Sequence, residues 1–289
     1  MHVVVSGGTG YLGSSLIKLF LLKGIKISIL IRNKSSLTRI EEFRNSVNLV
    51  NIDESNKLEN LFENESICGV IHTATCYGRK NETLNLMLES NLMFPIKLLE
   101  IAIKHKVQFF INTDTSLPRE LNFYSLSKSQ LKDWFKYYSD YIKIINAIPE
   151  YFYGPNDDEN KFVTSVFIKM YNNAESIEFS KGDQLRDFIY IDDISNAFYC
   201  IVENLDKVKT LTDIPIGSSE TISLKNMVLL IKDKLKNNFT KLNFGYLPTR
   251  PGEIMYSKAD ISILKSFGWH PKVTLDEGIQ NIVKLKINK

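Results

Sequence analysis

His2-Val3-Val4-Val5-Ser6-Gly7-Gly8-Thr9-Gly10-Tyr11-Leu12-Gly13 opens the chain with a β-branched apolar run that passes directly into a glycine-rich turn. The run reads as a strand, His2–Ser6. Tyr11–Leu22 then carries apolar residues at three- and four-residue spacing, the period of an amphipathic helix. Strand, glycine turn and helix in that order form the start of a βαβ unit. The spacing Gly7, Gly10, Gly13 lets the backbone turn tightly and approach a pyrophosphate without a Cβ, while the helix N-terminus offers amide donors and the positive end of its dipole. Tyr11 and Leu12 lie in the same turn, and the alternative is an ordinary tight strand-to-helix connection.

The alternation continues outward from this unit. Strands are expected at Lys26–Ile31, Val47–Ile52, Gly69–Thr73, Val107–Thr113 and Ile142–Ile148, with crossover helices at Leu84–Lys104 and Tyr124–Tyr141. Six strands separated by helices predict an α/β fold, a doubly wound parallel sheet of the Rossmann type. After Tyr153-Gly154-Pro155 the rhythm gives way to polar loops and short scattered elements. The expected division is therefore a dinucleotide-binding domain, 1–153, and a smaller irregular α/β substrate-binding lobe, 154–289, with part of 188–218 crossing back. A cleft between lobes is a common ligand site.

Composition narrows the function classes. The chain has 289 residues, 44% of them hydrophobic, and 36 Lys and Arg against 33 Asp and Glu give a formal net charge of +3. Disorder and a basic nucleic-acid-binding surface are both disfavoured. No apolar stretch approaches the roughly 18 residues of a membrane span, and no basic leader precedes Val3, so a soluble cytoplasmic protein is expected. Cys68, Cys76 and Cys200 are an odd number without metal-ligand spacing and read as reduced structural thiols, with neither disulfide nor metal.

The end of the second strand bears on which dinucleotide. A site selective for NAD usually holds the ribose 2′-hydroxyl with an acid about 20 residues after the glycine turn. Here the segment reads Leu30-Ile31-Arg32-Asn33-Lys34-Ser35, in which Arg32, Ser35 and Lys34 suit a 2′-phosphate. NADPH is the expected cofactor, ahead of NADH; the alternative is a solvated basic turn. Asp53, at the end of the third strand, faces the adenine or caps the following helix.

Tyr124-Ser125-Leu126-Ser127-Lys128 puts a phenol and an ammonium four residues apart on one helical face. A free tyrosine has a pKa of about 10, and a neighbouring lysine cation would lower it, making Tyr124 a proton donor near neutrality. Alone, the pair is equally a core tyrosine beside a surface lysine. Just upstream, Asp114-Thr115-Ser116 offers hydroxyls at the carboxyl end of the fifth strand, where such folds bind ligands.

Together, the glycine turn, the hydroxyl cluster and the Tyr124/Lys128 pair resemble the short-chain dehydrogenase/reductase family of the extended type. The resemblance covers nearly the whole chain. Thr73-Ala74-Thr75 looks like the fourth-strand segment that lies against the cofactor, and Asn91 matches the family's helix asparagine. Gly182–Asp193, Arg250-Pro251-Gly252-Glu253 and Gly268-Trp269 are similar to the nucleotide-sugar epimerase/dehydratase branch. The resemblance implies that Thr115, with Thr113 as the alternative, bonds the keto oxygen beside Tyr124, and that Lys128 serves both phenol and cofactor. It also implies that Tyr151, Phe162, Arg186, Arg250 and Glu253 contact a nucleotide-diphosphate sugar; each arginine is otherwise a surface ion-pair partner. His72 reads as a packed core residue.

Departures from the family pattern narrow the reaction. Thr115 is followed by Ser116-Leu117 rather than the Asp-Glu pair of the dehydratases, so elimination lacks its acid and base. Within the branch, Asn112–Thr115, Tyr124–Lys128, 157–162 and Gln184–Phe188 look most like the CDP-abequose and CDP-paratose synthases. The activity implied is NADPH-dependent reduction of a 4-keto-deoxyhexose in surface-polysaccharide (O-antigen, lipopolysaccharide) sugar synthesis, with 4-epimerisation as the alternative. The two long helices would pair across a two-fold axis into a homodimer, or else pack within one chain.

Overall fold

The computed structural model describes residues 1–78 and 81–287. In chain order the elements are β1 (His2–Ser6), α1 (Tyr11–Leu22), β2 (Lys26–Ile31), β3 (Asn48–Asn51), α2 (Lys57–Asn64), β4 (Gly69–His72), α3 (Leu84–Leu88), α4 (Phe94–Lys104), β5 (Phe109–Thr113), α5 (Phe123–Tyr138) and β6 (Lys143–Pro149). There follow β7 (Tyr151–Tyr153), α6 (Phe162–Tyr171), β8 (Ser176–Glu178), β9 (Leu185–Arg186), β10 (Phe188–Tyr190), α7 (Ile191–Glu203), β11 (Thr212–Ile216), β12 (Ile222–Ser223), α8 (Leu224–Lys234), β13 (Lys241–Asn243), α9 (Ser262–Ser266) and α10 (Leu275–Ile287). The chain divides into two compact units, Met1–Ile148 with Ser195–Ile214, and Pro149–Ile194 with Pro215–Lys289.

The first unit is built on a seven-stranded sheet of order β11-β6-β5-β4-β1-β2-β3. The registers of β3, β2, β1, β4, β5 and β6 are all parallel. Because β1 pairs with both β2 and β4, the chain reverses its direction of winding there, and the carboxyl ends of β1 and β4 open the crevice where such sheets take ligands. The strands read as continuous apolar runs because both faces are covered: Val3, Val4, Val70, Ile71, Phe110, Ile111, Ile144 and Ile145 are all fully buried. Leu98, Leu99 and Ala102 of α4 join Leu131 and Phe135 of α5 in one cluster with Phe110 and Ile144 of the sheet.

Element ends differ from expectation by a few residues, for local reasons. The helix beginning at Phe123 starts one residue early because Asn122 caps it: its side chain accepts from Ser125 N at 2.9 Å while Ser125 Oγ accepts from Asn122 N at 3.2 Å. Strand β5 starts at Phe109, since Val107 N donates to Ala102 O at 2.9 Å and so closes the turn after α4. The expected helix Leu84–Lys104 is present, but its middle, Glu89–Met93, is a wide π turn. Pro95 explains the widening: lacking an N–H, it cannot bond the carbonyl four residues back, and the ladder skips a position.

The second unit carries helices α6, α8, α9 and α10 and three two-stranded ladders, β10 with β7, β12 with β9, and β13 with β8. No helix among the described residues is long and apolar enough to cross a membrane.

Candidate active site

The glycine turn folds back on itself. Gly7 has φ +73°, and a Cβ there would stand 2.4 Å from Ala74 N; a Cβ on Gly13 would stand 2.3 Å from Gly7 O. Both positions therefore require glycine. Gly10 N donates to Gly7 O at 2.9 Å, and Gly10 then caps α1 with extended backbone and no side-chain bond. The positive end of α1 is thus left uncovered by any capping side chain, and Gly10 leaves room for a phosphate to approach it. Thr73 ties the end of β4 to this turn, its N–H and Oγ1 both donating to Ser6 O at 3.0 and 2.8 Å. The cradle fits a dinucleotide pyrophosphate.

At the end of β2, Arg32 is exposed and its N–H donates to Ser35 Oγ at 2.9 Å, so Ser35 closes the turn that presents the arginine. Asp53 does not cap α2, whose N-cap is Asn56; its Oδ2 instead accepts from Asn33 N at 2.8 Å. An acid thus reaches the end of β2 from the neighbouring strand, which reading β2 alone does not show. Arg39, on the 3₁₀ segment Thr38–Ser46, places its guanidinium carbon 5.9 Å from the centre of the Tyr11 ring. Only the fold puts Arg39 beside the glycine turn.

The capping box at Asn122 sets Tyr124 in the first turn of α5 and Lys128 one turn later. Of the two hydroxyls left open by the sequence, Thr115 is the one bonded to the Tyr124 phenol, which also bonds Thr75. The Thr113 hydroxyl is buried without a partner among the described residues. Tyr77 packs against Tyr124, ring centres 5.0 Å apart at 40°. Burial, followed by the proximity of Tyr77, pushes the Tyr124 phenol well above the usual tyrosine range. The expected lowering by Lys128 does not appear. The Lys128 ammonium, 1% exposed, donates to Asn112 Oδ1 at 3.3 Å. Burial lowers its proton affinity and the nearby Asp114 carboxylate raises it.

Asn91 sits in the π turn, fully buried, with its amide spent inside the protein. Oδ1 accepts from Cys76 N at 2.7 Å and Thr75 Oγ1 at 3.3 Å, while Nδ2 donates to Cys76 O at 2.8 Å and Ser127 Oγ at 3.0 Å. It therefore acts on the site by holding the Thr75–Cys76 loop, and Thr75 in turn bonds Tyr124. His72 is a core residue, fully buried and held neutral, with Nδ1 2.6 Å from Ser6 Oγ.

In the second unit, Arg186 is 2% exposed rather than at the surface. Its Nη2 donates to Glu253 Oε1 at 2.7 Å and to Ile254 O, its Nη1 to Leu185 O at 3.0 Å, and its guanidinium lies 5.2 Å from the Tyr151 ring centre. Phe162 stacks on Phe188 with ring centres 6.5 Å apart, and Arg250 is exposed. Tyr151, Arg186 and Glu253 thus form one group. Beside them, Asp187, fully buried, accepts from Ser218 N and Oγ, each at 2.7 Å, from Ser219 N at 3.0 Å and from Ala259 N at 3.1 Å.

A parallel doubly wound sheet, a glycine cradle at its reversal point and a half-buried tyrosine one turn before a buried lysine define a dinucleotide-dependent oxidoreductase of the α/β class. The chain belongs to the NAD dependent epimerase/dehydratase family, whose model matches residues 3–217. It is 30% identical to a CDP-abequose synthase of Salmonella typhimurium (strain LT2), an alignment covering 98% of this chain and 97% of the relative. It is 27% identical to a putative UDP-glucose 4-epimerase of Methanocaldococcus jannaschii, over 97% of both chains. The solved UDP-glucose 4-epimerase of Thermotoga maritima superimposes with a TM-score of 0.87 at 20% identity, covering 100% of this chain and 99% of that one, which establishes the shared fold. The protein is a sugar-nucleotide-modifying enzyme of oxidoreductase type.

Proposed function

We propose that the enzyme reduces the 4-keto group of a nucleotide-linked deoxyhexose with NADPH, as a cytoplasmic step in surface-polysaccharide sugar synthesis. The observation that carries this reading is the Tyr124 phenol, kept protonated by burial and bonded by Thr115 and Thr75. The end-to-end likeness to CDP-abequose synthase supports the substrate class. A reduced nicotinamide, when bound, supplies hydride. The chain's own residues do the rest. Gly7, Gly10, Tyr11, Leu12 and Gly13 take the pyrophosphate at the N-terminus of α1, with Thr73, Ala74 and Thr75 beside it. Tyr124 gives its proton to the developing alkoxide, and Thr115 shares that oxygen's charge. Lys128 supplies a buried cation to the cofactor, one turn along the helix from Tyr124. Arg186, Tyr151 and Glu253, with Phe162 and Arg250, take the nucleotide-sugar portion.

The test is an absorbance trace at the nicotinamide band with CDP-, dTDP-, GDP- and UDP-linked 4-keto sugars. Stoichiometric NADPH consumption with at least one of them is expected. Turnover of a 4-hydroxy nucleotide sugar without net consumption establishes the second reading, a 4-epimerase, which the full-length likeness to a putative epimerase favours.

NADPH selectivity is assigned to Arg32, with Arg39 and Lys34 adding charge and Ser35 shaping the turn. Asp53 is left to orient that turn and to meet the adenine. Arg32→Ser is expected to lower the NADPH-to-NADH ratio of kcat/KM by about tenfold to a hundredfold, the worth of one charge-assisted bond. An unchanged ratio removes Arg32 from this role.

The exposed Met93, Trp134, Tyr137 and Tyr141, on or flanking the two long helices, suit a homodimer. Sedimentation is expected to give twice the chain mass of 33.2 kDa.

A further inference from the structure

Beneath α5 the sheet carries polar residues where an apolar face is the rule. Asn112 of β5 and Asn146 of β6 are register partners, 0% and 1% exposed; Asn112 follows the apolar run Phe109-Phe110-Ile111, and Asn146 lies between Ile145 and Ala147. Burying two amides beside a lysine is costly unless they are fully bonded. They are bonded as a chain. Lys128 Nζ donates to Asn112 Oδ1 at 3.3 Å, Asn112 Nδ2 to Asn146 Oδ1 at 3.1 Å, and Asn146 Nδ2 to Asp213 Oδ1 at 3.0 Å. Asp213, on β11, ends the chain in an ion pair with Lys132. Lys132 lies one turn after Lys128, so the chain leaves α5, crosses three strands and returns to the same helix.

The direction of this chain is fixed at both ends. An ammonium only donates, so it selects the oxygen of Asn112; a carboxylate accepts, so it selects the nitrogen of Asn146. Every amide dipole therefore points the same way, with its negative end toward Lys128, and bonds in such a series polarise one another. We propose that Asn112, Asn146 and Asp213 are positioning residues for Lys128, transmitting the charge of the half-exposed Asp213/Lys132 pair through the sheet to the ammonium of the active site. The assignment rests on the reading of Lys128 as part of that site and names residues that the function itself did not require. The other titratable groups facing Lys128 are Asp114, on the loop after β5, and His72, on β4, which burial keeps neutral. Asp114 supplies the direct charge, and the amide chain supplies the indirect one.

The test reads Lys128 itself and needs no substrate. Protein labelled with ¹³C and ¹⁵N in lysine is titrated by NMR, and the Lys128 ε-carbon signal is assigned by its loss in Lys128→Met. Asp213→Asn keeps an acceptor for Asn146 but removes the charge, and is expected to lower the Lys128 midpoint by about half a pH unit or more. Asn112→Leu breaks the chain and is expected to lower it as well. Lys132→Met leaves Asp213 uncompensated and is expected to raise it. A midpoint that is unmoved, or that moves in the opposite sense, in Asp213→Asn or Lys132→Met overturns the proposal. Both substitutions are at half-exposed positions, so the test stands even where Asn112→Leu fails to fold. The result is independent of which sugar the enzyme reduces.

Discussion

Tyr124→Phe is expected to lower kcat by about a thousandfold while leaving dinucleotide affinity within about twofold, because the lost hydroxyl is the proposed proton donor and removing a general acid usually costs about that much. The ring stays in place. Tyr124 packs its ring against that of Tyr77, and the capping box at Asn122 holds the first turn of α5 without help from the phenol. Thr115 and Thr75 lose one partner each, a small matter beside the chemistry. Fluorescence titration with NADPH separates binding from turnover, and single-turnover absorbance reads the chemical step. Turnover within tenfold of the native enzyme would mean that another group delivers the proton, and the arrangement of Thr115 and Thr75 around this phenol would then need a different explanation.

The largest loss of stability is expected at Asp187, which touches no part of the proposed chemistry. Its carboxylate gathers three backbone amides and one hydroxyl from segments more than 30 residues away, in a fully buried position. Asp187→Ala strands those donors without water, and each orphaned buried donor costs about 1–3 kcal/mol. A total of roughly 4 kcal/mol is expected from urea unfolding, with the linear region of the curve giving the same slope as the native protein. Asp187→Asn is expected to lose less, since it keeps two acceptor lone pairs. A loss under about 1 kcal/mol for the alanine variant would show that the segments at 218 and 259 find other partners.

Much of the first unit was legible because its signals are local. The β-branched run His2–Ser6, the glycine spacing and the helical period of Tyr11–Leu22 each state their own conformation, and β1, α1 and β2 fall where the pattern puts them. What depends on register between distant strands was not legible. Asp53 bonds the Asn33 amide because β3 lies beside β2, and Arg39 lies near Tyr11 because the 3₁₀ segment folds back over the glycine turn. Thr75 reaches Tyr124 because the loop after β4 is held by Asn91. The sequence did carry one unused signal: an asparagine inside Phe109-Phe110-Ile111-Asn112, and another inside Ile144-Ile145-Asn146-Ala147, mark buried polar groups that need partners. In the second unit, the resemblance puts Arg186 against the nucleotide-diphosphate sugar, with a surface ion pair as the alternative, yet in the structure it is buried and tied to Glu253, a pairing no spacing along the chain reveals.

The wide turn around Asn91 has a consequence for how this stretch tolerates change. An α-helix advances about 100° per residue, so removing one position between Leu88 and Phe94 to restore a regular ladder would swing everything beyond it by that angle. Leu98, Leu99 and Ala102 would leave the sheet, and Asn91 would no longer reach both Cys76 and Ser127. Residue count is therefore under tighter constraint here than residue identity. Drift in this segment is expected to proceed by exchange of side chains, with insertions and deletions confined to the loops on either side.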